Sequence, residues 1–155
     1  MGRPHIAKTL LEKYPDKFSD TDEIFDVYLG TGKIGYVERR EKISVKEAVH
    51  AIHSAGGLAF AAHPGVYKNF DPVSFIEFFV NNKGDGVETY YSYESSRHKI
   101  TEKMSDSIIK KYRSIAMKMR LLETGGSDFH GKDEQKLGRL KVPYSVLENL
   151  KKSIG

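Results

Sequence analysis

Side chains that could bind a metal follow two of the predicted strands. His63 comes directly after the apolar run 58–62, and Asp128 and His130 come just after the run 121–124. In parallel α/β folds, reactive residues lie just past the carboxyl ends of the strands. In an extended stretch, residues two apart point to the same side. One carboxylate and two imidazoles suit zinc, manganese or iron, so we expect a partial metal site. The alternative is an Asp that caps a turn and histidines that pack on the core.

Two cationic side chains could contact a phosphate group. Arg3 lies in the stretch GRPHIA (2–7), and its planar guanidinium matches a phosphate in shape and charge. Lys33 lies in the glycine-rich stretch GTGKIG (30–35), which does not open a helix as a Walker loop does. The alternatives are a frayed terminus with one exposed arginine and a plain turn.

A short strand between these motifs carries further candidates. Glu88, at the exit of the strand, is a candidate ligand or a group that supports one. The tyrosines at 90, 91 and 93 could stack on a base, although a half-buried end of a strand explains them as well.

The elements that must position these residues alternate between strand and helix from residue 57 onward. The apolar runs predict strands at 58–62, 86–90, 121–124 and 140–142. The periodicity and the capping residues predict helices at 3–13, 22–29, 45–55, from Pro72 to a stop at Gly84, at 95–118 and at 145–154. This is the pattern of a parallel sheet or barrel, with few strands for a full barrel. We expect one α/β domain over residues 1–155.

Composition excludes several classes of protein. The 155 residues include 25 Lys and Arg against 21 Asp and Glu, and 39% are hydrophobic, as in a folded globular protein. No apolar run approaches the ~20 residues that a membrane span needs. The absence of cysteine excludes disulfides and thiolate metal sites. With no visible signal peptide, we expect a cytoplasmic protein. The net charge of +4 gives a nucleic-acid-binding module only thin support.

Five stretches taken together resemble the PHP (polymerase and histidinol phosphatase) family of phosphoesterases. They are GRPHIA (2–7), IFDVYLGTGKIGYV (24–37), SVKEAVHAIHSAGGLAFAAHPG (44–65), GVETYY (86–91) and TGGSDFHG (124–131). The match is closest to small stand-alone enzymes that act on nucleoside phosphates and short oligoribonucleotides. The resemblance implies a distorted, seven-stranded (β/α) barrel with two or three metal ions at the carboxyl ends of its strands.

The resemblance also assigns roles to individual residues. It implies that His63, Asp128 and His130 are metal ligands for manganese, zinc or iron. Arg3 would contact the substrate phosphate with His5 nearby, both in the catalytic site, and Lys33 would contact the phosphate as well. A metal-activated water would attack phosphorus.

The sequence departs from the family pattern at its start. The family's His-x-His motif and several further ligands precede the region that resembles GRPHIA, and this sequence starts at Met1 directly before that region. We therefore expect the C-terminal part of a PHP barrel, inactive alone, with an N-terminal half as a partner and with self-association over the surfaces left uncovered. The alternative is a non-catalytic remnant that acts as an interaction or regulatory module.

Overall fold

The structure of the chain is a computed structural model. It describes residues 2–38, 42–67, 70–93, 100–130, 137–138 and 140–154. The chain divides into two compact units, Met1–Lys42 and Ile43–Gly155, and each is described by itself. The expectation of one domain over 1–155 stays a prediction.

The first unit is helical. Helix α1 spans Arg3–Lys13, helix α2 spans Thr21–Ile24, and a π-helical segment, Phe25–Leu29, continues α2. Asp20 caps α2 by accepting a hydrogen bond from the backbone N–H of Glu23. The core of the unit consists of Ala7, Ile24 and Leu29, with Leu10, Leu11, Phe18 and Phe25 packed against them.

The second unit contains a parallel sheet of three strands in the order β1-β2-β3. Strand β1 is Phe60–Ala61, β2 is Gly86–Tyr91 and β3 is Leu122–Gly126. Strand β1 is shorter than the predicted run 58–62, because the apolar character of that run reflects packing as well as pairing. Ala59, for example, is buried in the core outside the strand.

Helices connect and flank these strands. Helix α3 spans Val45–Ser54, α4 spans Pro72–Asn81, α5 spans Glu102–Lys118 and α6 spans Tyr144–Ile154. Ser44 and Glu47 form the predicted capping box of α3, and Asp71 caps α4. The core comprises Val49, Ala59, Ala61, Ile76, Phe79, Val87, Tyr112 and Ile115.

One sequence-based assignment near the C-terminal end needs correction. Residues 140–142 do not form a strand. Val142 lies instead against Gly125 of β3, where a Cβ atom on the glycine would come within 3.0 Å of the valine side chain. In α6, Val146 is the buried residue, whereas Leu147 is exposed. The predicted start of the α5 helix at 95–99 lies outside the described residues.

The pairing of β2 with β3 contains one irregularity. Glu88 lies opposite Thr124 and Tyr90 lies opposite Gly125, so Thr89 has no partner across the ladder. One extra residue on one strand is a β-bulge, and bulges change the direction of the side chains that follow.

The observed sheet and its helices confirm the α/β class and the few parallel strands. Within the described ranges, no helix combines the length and the apolar character needed to cross a membrane.

Candidate metal centre

His63 lies just past the end of β1, as the sequence analysis predicted. Its backbone is left-handed, with φ 30° and ψ 57°, and its N–H donates a 2.7 Å hydrogen bond to Oε2 of Glu88. The ring nitrogen Nδ1 is buried, and no hydrogen-bond partner for it occurs in the described part of the chain. Buried polar atoms are nearly always paired, so this nitrogen requires an explanation.

The residues after His63 hold it in place. Pro64–Val66 form one turn of 3₁₀ helix, and the N–H of Gly65 donates to the hydroxyl of Tyr93 over 3.2 Å. A Cβ atom at Gly65 would come within 2.6 Å of the side chains of Tyr93 and Ile108. The glycine of AAHPG is therefore required for close packing beside the histidine.

Glu88 lies on β2 between His63 and the segment that follows β3. Burial raises the pKa of Glu88, and the negative charge of Asp128 acts in the same direction, while the hydrogen bond from the His63 N–H opposes it. The Glu88 carboxylate thus interacts with both segments that carry predicted ligands. The sequence analysis considered Glu88 as a ligand or as a group that supports one.

Asp128 and His130 lie together after β3. Nδ1 of His130 is 3.7 Å from Oδ1 of Asp128 and is also hydrogen bonded to the Asp128 backbone carbonyl. The sequence argument relied on an extended backbone, but Asp128 is left-handed with φ 51°. The proximity was correctly predicted, and a turn rather than an extended segment produces it.

Left-handed backbone occurs at two of the three expected ligands, His63 and Asp128. Within the described ranges, four residues other than glycine have positive φ: His63, Lys83, Arg120 and Asp128. Lys83 and Arg120 follow the ends of α4 and α5, where this conformation is common. His63 and Asp128 end no helix, and unusual backbone of this kind clusters at functional sites.

Tyr91, which the sequence analysis considered only for stacking on a base, is also a member of the site. Its hydroxyl donates a 3.2 Å hydrogen bond to Oδ2 of Asp128, and its ring lies 5.2 Å from that of His63 between centroids. Burial, followed by the charge of Asp128, raises the pKa of Tyr91 to about 12. The phenol is therefore protonated at neutral pH and remains a donor.

These contacts bring four residues together: His63 and Asp128 follow the ends of β1 and β3, and Glu88 and Tyr91 lie on β2 between them. Within the described ranges, no group of three or more His, Asp or Glu side chains converges closely enough to hold an ion as it stands. The donor set still fits a divalent ion at one point, because the buried His63 Nδ1 is an imidazole nitrogen without a partner and carboxylates lie nearby.

The predicted phosphate contacts belong to the first unit. Arg3 is the first residue of α1 rather than part of a frayed terminus, and its Nη1 donates to the carbonyl of Leu29 over 2.9 Å. Its guanidinium lies over the rings of Phe25 and Tyr36, at 5.9 and 5.1 Å from their centroids. The exposed guanidinium is thus held in a defined position.

His5 and Lys33 complete this set. Nδ1 of His5 accepts a hydrogen bond from the backbone N–H of Gly2 at the start of α1. Lys33 lies in a turn closed by a hydrogen bond from its backbone N–H to the Gly30 carbonyl. The structure of this unit does not by itself bring Lys33 into contact with Arg3 or His5.

The fold and the site together define an α/β protein with a candidate metal centre at the carboxyl ends of parallel strands. No family model matches the chain. The Escherichia coli 5'-3' exoribonuclease Rnm is 30% identical over 131 residues, which are 83% of this chain and 40% of that protein. A 3',5'-nucleoside bisphosphate phosphatase from Chromobacterium violaceum is 32% identical over 136 residues, which are 86% of this chain and 43% of that protein.

Two solved structures share the fold. An amidohydrolase from Chromobacterium violaceum, with bound sulfate and no metal, superposes with a TM-score of 0.73 and 26% identity. It is matched over 99% of this chain and 51% of its own. A candidate metal-dependent phosphoesterase from Bifidobacterium adolescentis superposes with a TM-score of 0.72 at 24% identity, over 96% of this chain and 49% of its own.

These matches confirm the resemblance seen in the motifs. The chain is similar in sequence to an exoribonuclease and to a nucleoside bisphosphate phosphatase, and similar in fold to two solved structures. It spans about half the length, or less, of the proteins that it matches.

Proposed function

We propose that the chain supplies part of the active site of a metal-dependent phosphoesterase. The observation that carries the proposal is the buried Nδ1 of His63, which lacks a partner among the described residues and lies on the same side of the sheet as Glu88 and Asp128. An imidazole in this setting suits a divalent ion. The relatives, one named as an exoribonuclease and one as a nucleoside bisphosphate phosphatase, support hydrolysis of phosphate esters.

His63, Asp128 and His130 are the ligands in this proposal, for manganese, zinc or iron. When bound, the ion supplies Lewis-acid activation for the attack of water on phosphorus. The chain's own groups orient the ligands: the Glu88 carboxylate holds the His63 backbone, and contact between Asp128 and His130 holds the second segment.

The proposal assigns the contacts with the substrate to three residues of the first unit, Arg3, His5 and Lys33. The Arg3 guanidinium keeps its orientation because Leu29, Phe25 and Tyr36 hold it. A guanidinium that is already oriented binds a phosphate more favourably than a mobile one does. His5 lies two residues further along the same helix, and the proposal gives it a role in the catalytic site. The sulfate in the related amidohydrolase supports anion binding in this fold. Nucleoside phosphates and short oligonucleotides are the proposed substrates.

The proposal includes a larger barrel of which these strands are a part. The chain matches 51% of the related amidohydrolase, so residues beyond those described here would complete both the barrel and the metal cluster. The competing function is an interaction or regulatory module without chemistry. It is less favoured, because the relatives carry the names of hydrolytic enzymes.

Metal binding by the 155-residue chain tests the proposal directly. Titration with Mn²⁺, followed by electron paramagnetic resonance of the free ion, should give one bound ion per chain. His63→Ala should remove this binding, because it removes the one buried imidazole nitrogen of the described site that lacks another partner. Asp128→Ala should remove it as well.

His50→Ala is the matched control for this titration. His50 is an exposed residue of α3, so its loss removes an imidazole without touching the site, and Mn²⁺ binding should be unchanged. Absence of Mn²⁺ binding by the unmodified chain would refute the proposed function. Two or more tightly held ions per chain would refute the assignment of a partial site.

Self-association remains a prediction. Large apolar side chains are exposed in both units, such as Ile34 at 92% and Val37 at 85% in the first and Met117 at 75% in the second. Exposed apolar surface of this kind favours contacts between copies. Sedimentation velocity at increasing protein concentration should show a dimer or larger species, and a monomer throughout the range would contradict the prediction.

A further inference from the structure

The side chains of β2 do not alternate regularly. Glu88 and Tyr91 both contact the site, through the N–H of His63 and the carboxylate of Asp128 respectively. In a regular strand, residues three apart point to opposite faces, so these two residues should not share a site.

The bulge at Thr89 accounts for this arrangement. Thr89 and Tyr90 both contact the pair formed by Arg113 and Glu123: the Thr89 hydroxyl donates to Oε2 of Glu123 over 2.7 Å, and the Arg113 guanidinium lies 4.9 Å from the centre of the Tyr90 ring. Two consecutive residues therefore contact the same pair. The extra residue shifts the alternation by one, so that Tyr91 contacts the site instead of lying opposite to Glu88.

Polar contacts of Thr89 and Glu123 hold the bulge. Thr89 is fully buried, and its hydroxyl is paired with Glu123 on the adjacent strand. Oε2 of Glu123 also accepts a 3.2 Å hydrogen bond from Nε of Arg113 on α5. Loss of the threonine hydroxyl would leave a carboxylate oxygen with one donor fewer at the point where β2 departs from regular pairing.

We propose that Tyr91 is a positioning residue for the metal site. The bulge at Thr89 brings the Tyr91 hydroxyl to Oδ2 of Asp128, and the hydrogen bond between them sets the orientation of the Asp128 carboxylate. The inference deepens the proposed function and rests on it. Hydrogen bonds to a ligand carboxylate orient it toward the ion, and their loss typically weakens metal binding by about 10- to 100-fold.

The test compares Mn²⁺ affinity and urea stability in a set of variants of the chain. Tyr91→Phe keeps the ring and removes the hydroxyl, and it should weaken Mn²⁺ binding by about 10-fold or more. Tyr90→Phe is the matched control, because it removes a hydroxyl from the adjacent residue whose ring lies against Arg113. It should leave Mn²⁺ affinity unchanged.

Variants of Thr89 test whether the bulge acts through Tyr91. Thr89→Val keeps the shape and removes the hydroxyl, so it should weaken Mn²⁺ binding, whereas Thr89→Ser should restore it. In a Tyr91→Phe background, Thr89→Val should have no further effect on affinity, because the two changes remove the same interaction. A role in folding alone would lower urea stability without this pattern.

The outcomes separate this inference from the proposed function. If the unmodified chain binds Mn²⁺ and Tyr91→Phe binds it equally well, the positioning role is refuted and the proposed function stands. Equal losses in Tyr91→Phe and Tyr90→Phe would also refute it. If the unmodified chain binds no Mn²⁺, the proposed function fails and the inference fails with it. Because Tyr91→Phe alone decides the main point, a Thr89→Val variant that does not fold leaves the test intact.

Discussion

The chain alone should hydrolyse nucleoside phosphates at a negligible rate when Mn²⁺ is supplied, and activity should appear when a segment carrying the His-x-His motif is added. Three ligands can position one ion at best, whereas a two-metal mechanism stabilises both the attacking and the leaving oxygen. Loss of a single group that stabilises transition-state charge costs about 10²- to 10³-fold in rate, so a missing ion costs at least that. Release of inorganic phosphate from a nucleoside bisphosphate measures the rate.

The recovered activity should depend on the residues of this chain. His130→Ala should abolish it, whereas His50→Ala, which changes an exposed histidine on α3, should not. Arg3→Ala should raise KM, because it removes the proposed phosphate contact. Turnover by the unsupplemented chain at an ordinary enzymatic rate, ~1–10³ per second, would show that the site is complete without further ligands.

Gly125→Ala should destabilise the sheet strongly for a change of one methyl group. A Cβ atom at this position would lie 2.4 Å from the Cβ atom of Tyr90 and 2.7 Å from its carbonyl oxygen. Neither contact involves the far end of a flexible side chain, so relief requires movement of the backbone opposite the bulge. We expect a loss of about 1–3 kcal/mol in the free energy of unfolding, measured by urea denaturation.

Gly126→Ala provides the control for that experiment. The next residue of the same strand has room for a methyl group, with Oε1 of Glu88 at 3.7 Å as its nearest contact. The substitution should change stability little. Equal losses in the two variants would mean that any side chain in this part of β3 is unfavourable, and that the close approach to Tyr90 has no special importance.

The sequence located the candidate ligands after strands, because strand ends can be recognised from local signals. An apolar run bounded by Gly57 and Pro64 locates His63, and a second run before Gly125 locates Asp128 and His130. The rule that reactive groups follow parallel strands then places them on one edge of the sheet. The helix starts at Ser44 and Asp71 were predicted for a similar reason, since capping depends on residues close in sequence.

Tyr91 could not be assigned in the same way. Its role depends on a bulge, which results from pairing between β2 and a strand more than thirty residues away. Regular alternation from Glu88 places Tyr91 on the wrong face. The glycines at 125 and 126 were the available signal, since a glycine in a strand often marks a bulge or a close approach of backbone. The sequence around these two glycines does not identify the strand that approaches them.

The fourth predicted strand failed because apolar character alone does not determine pairing. Val142 packs its side chain against Gly125 of β3 without joining the ladder. Pro143 follows it, and a proline cannot donate a ladder hydrogen bond. The same distinction explains why β1 contains two residues although five consecutive residues are apolar.

The order of the sheet, β1-β2-β3, has a consequence for synthesis on the ribosome. Each strand pairs with the one made just before it, so no pair has to open to admit a later strand. Tyr91 enters the sheet with β2, whereas Asp128 follows β3, which the ribosome delivers later. The residues on the histidine and glutamate side of the site are therefore synthesised first, and Asp128 and His130 are synthesised last.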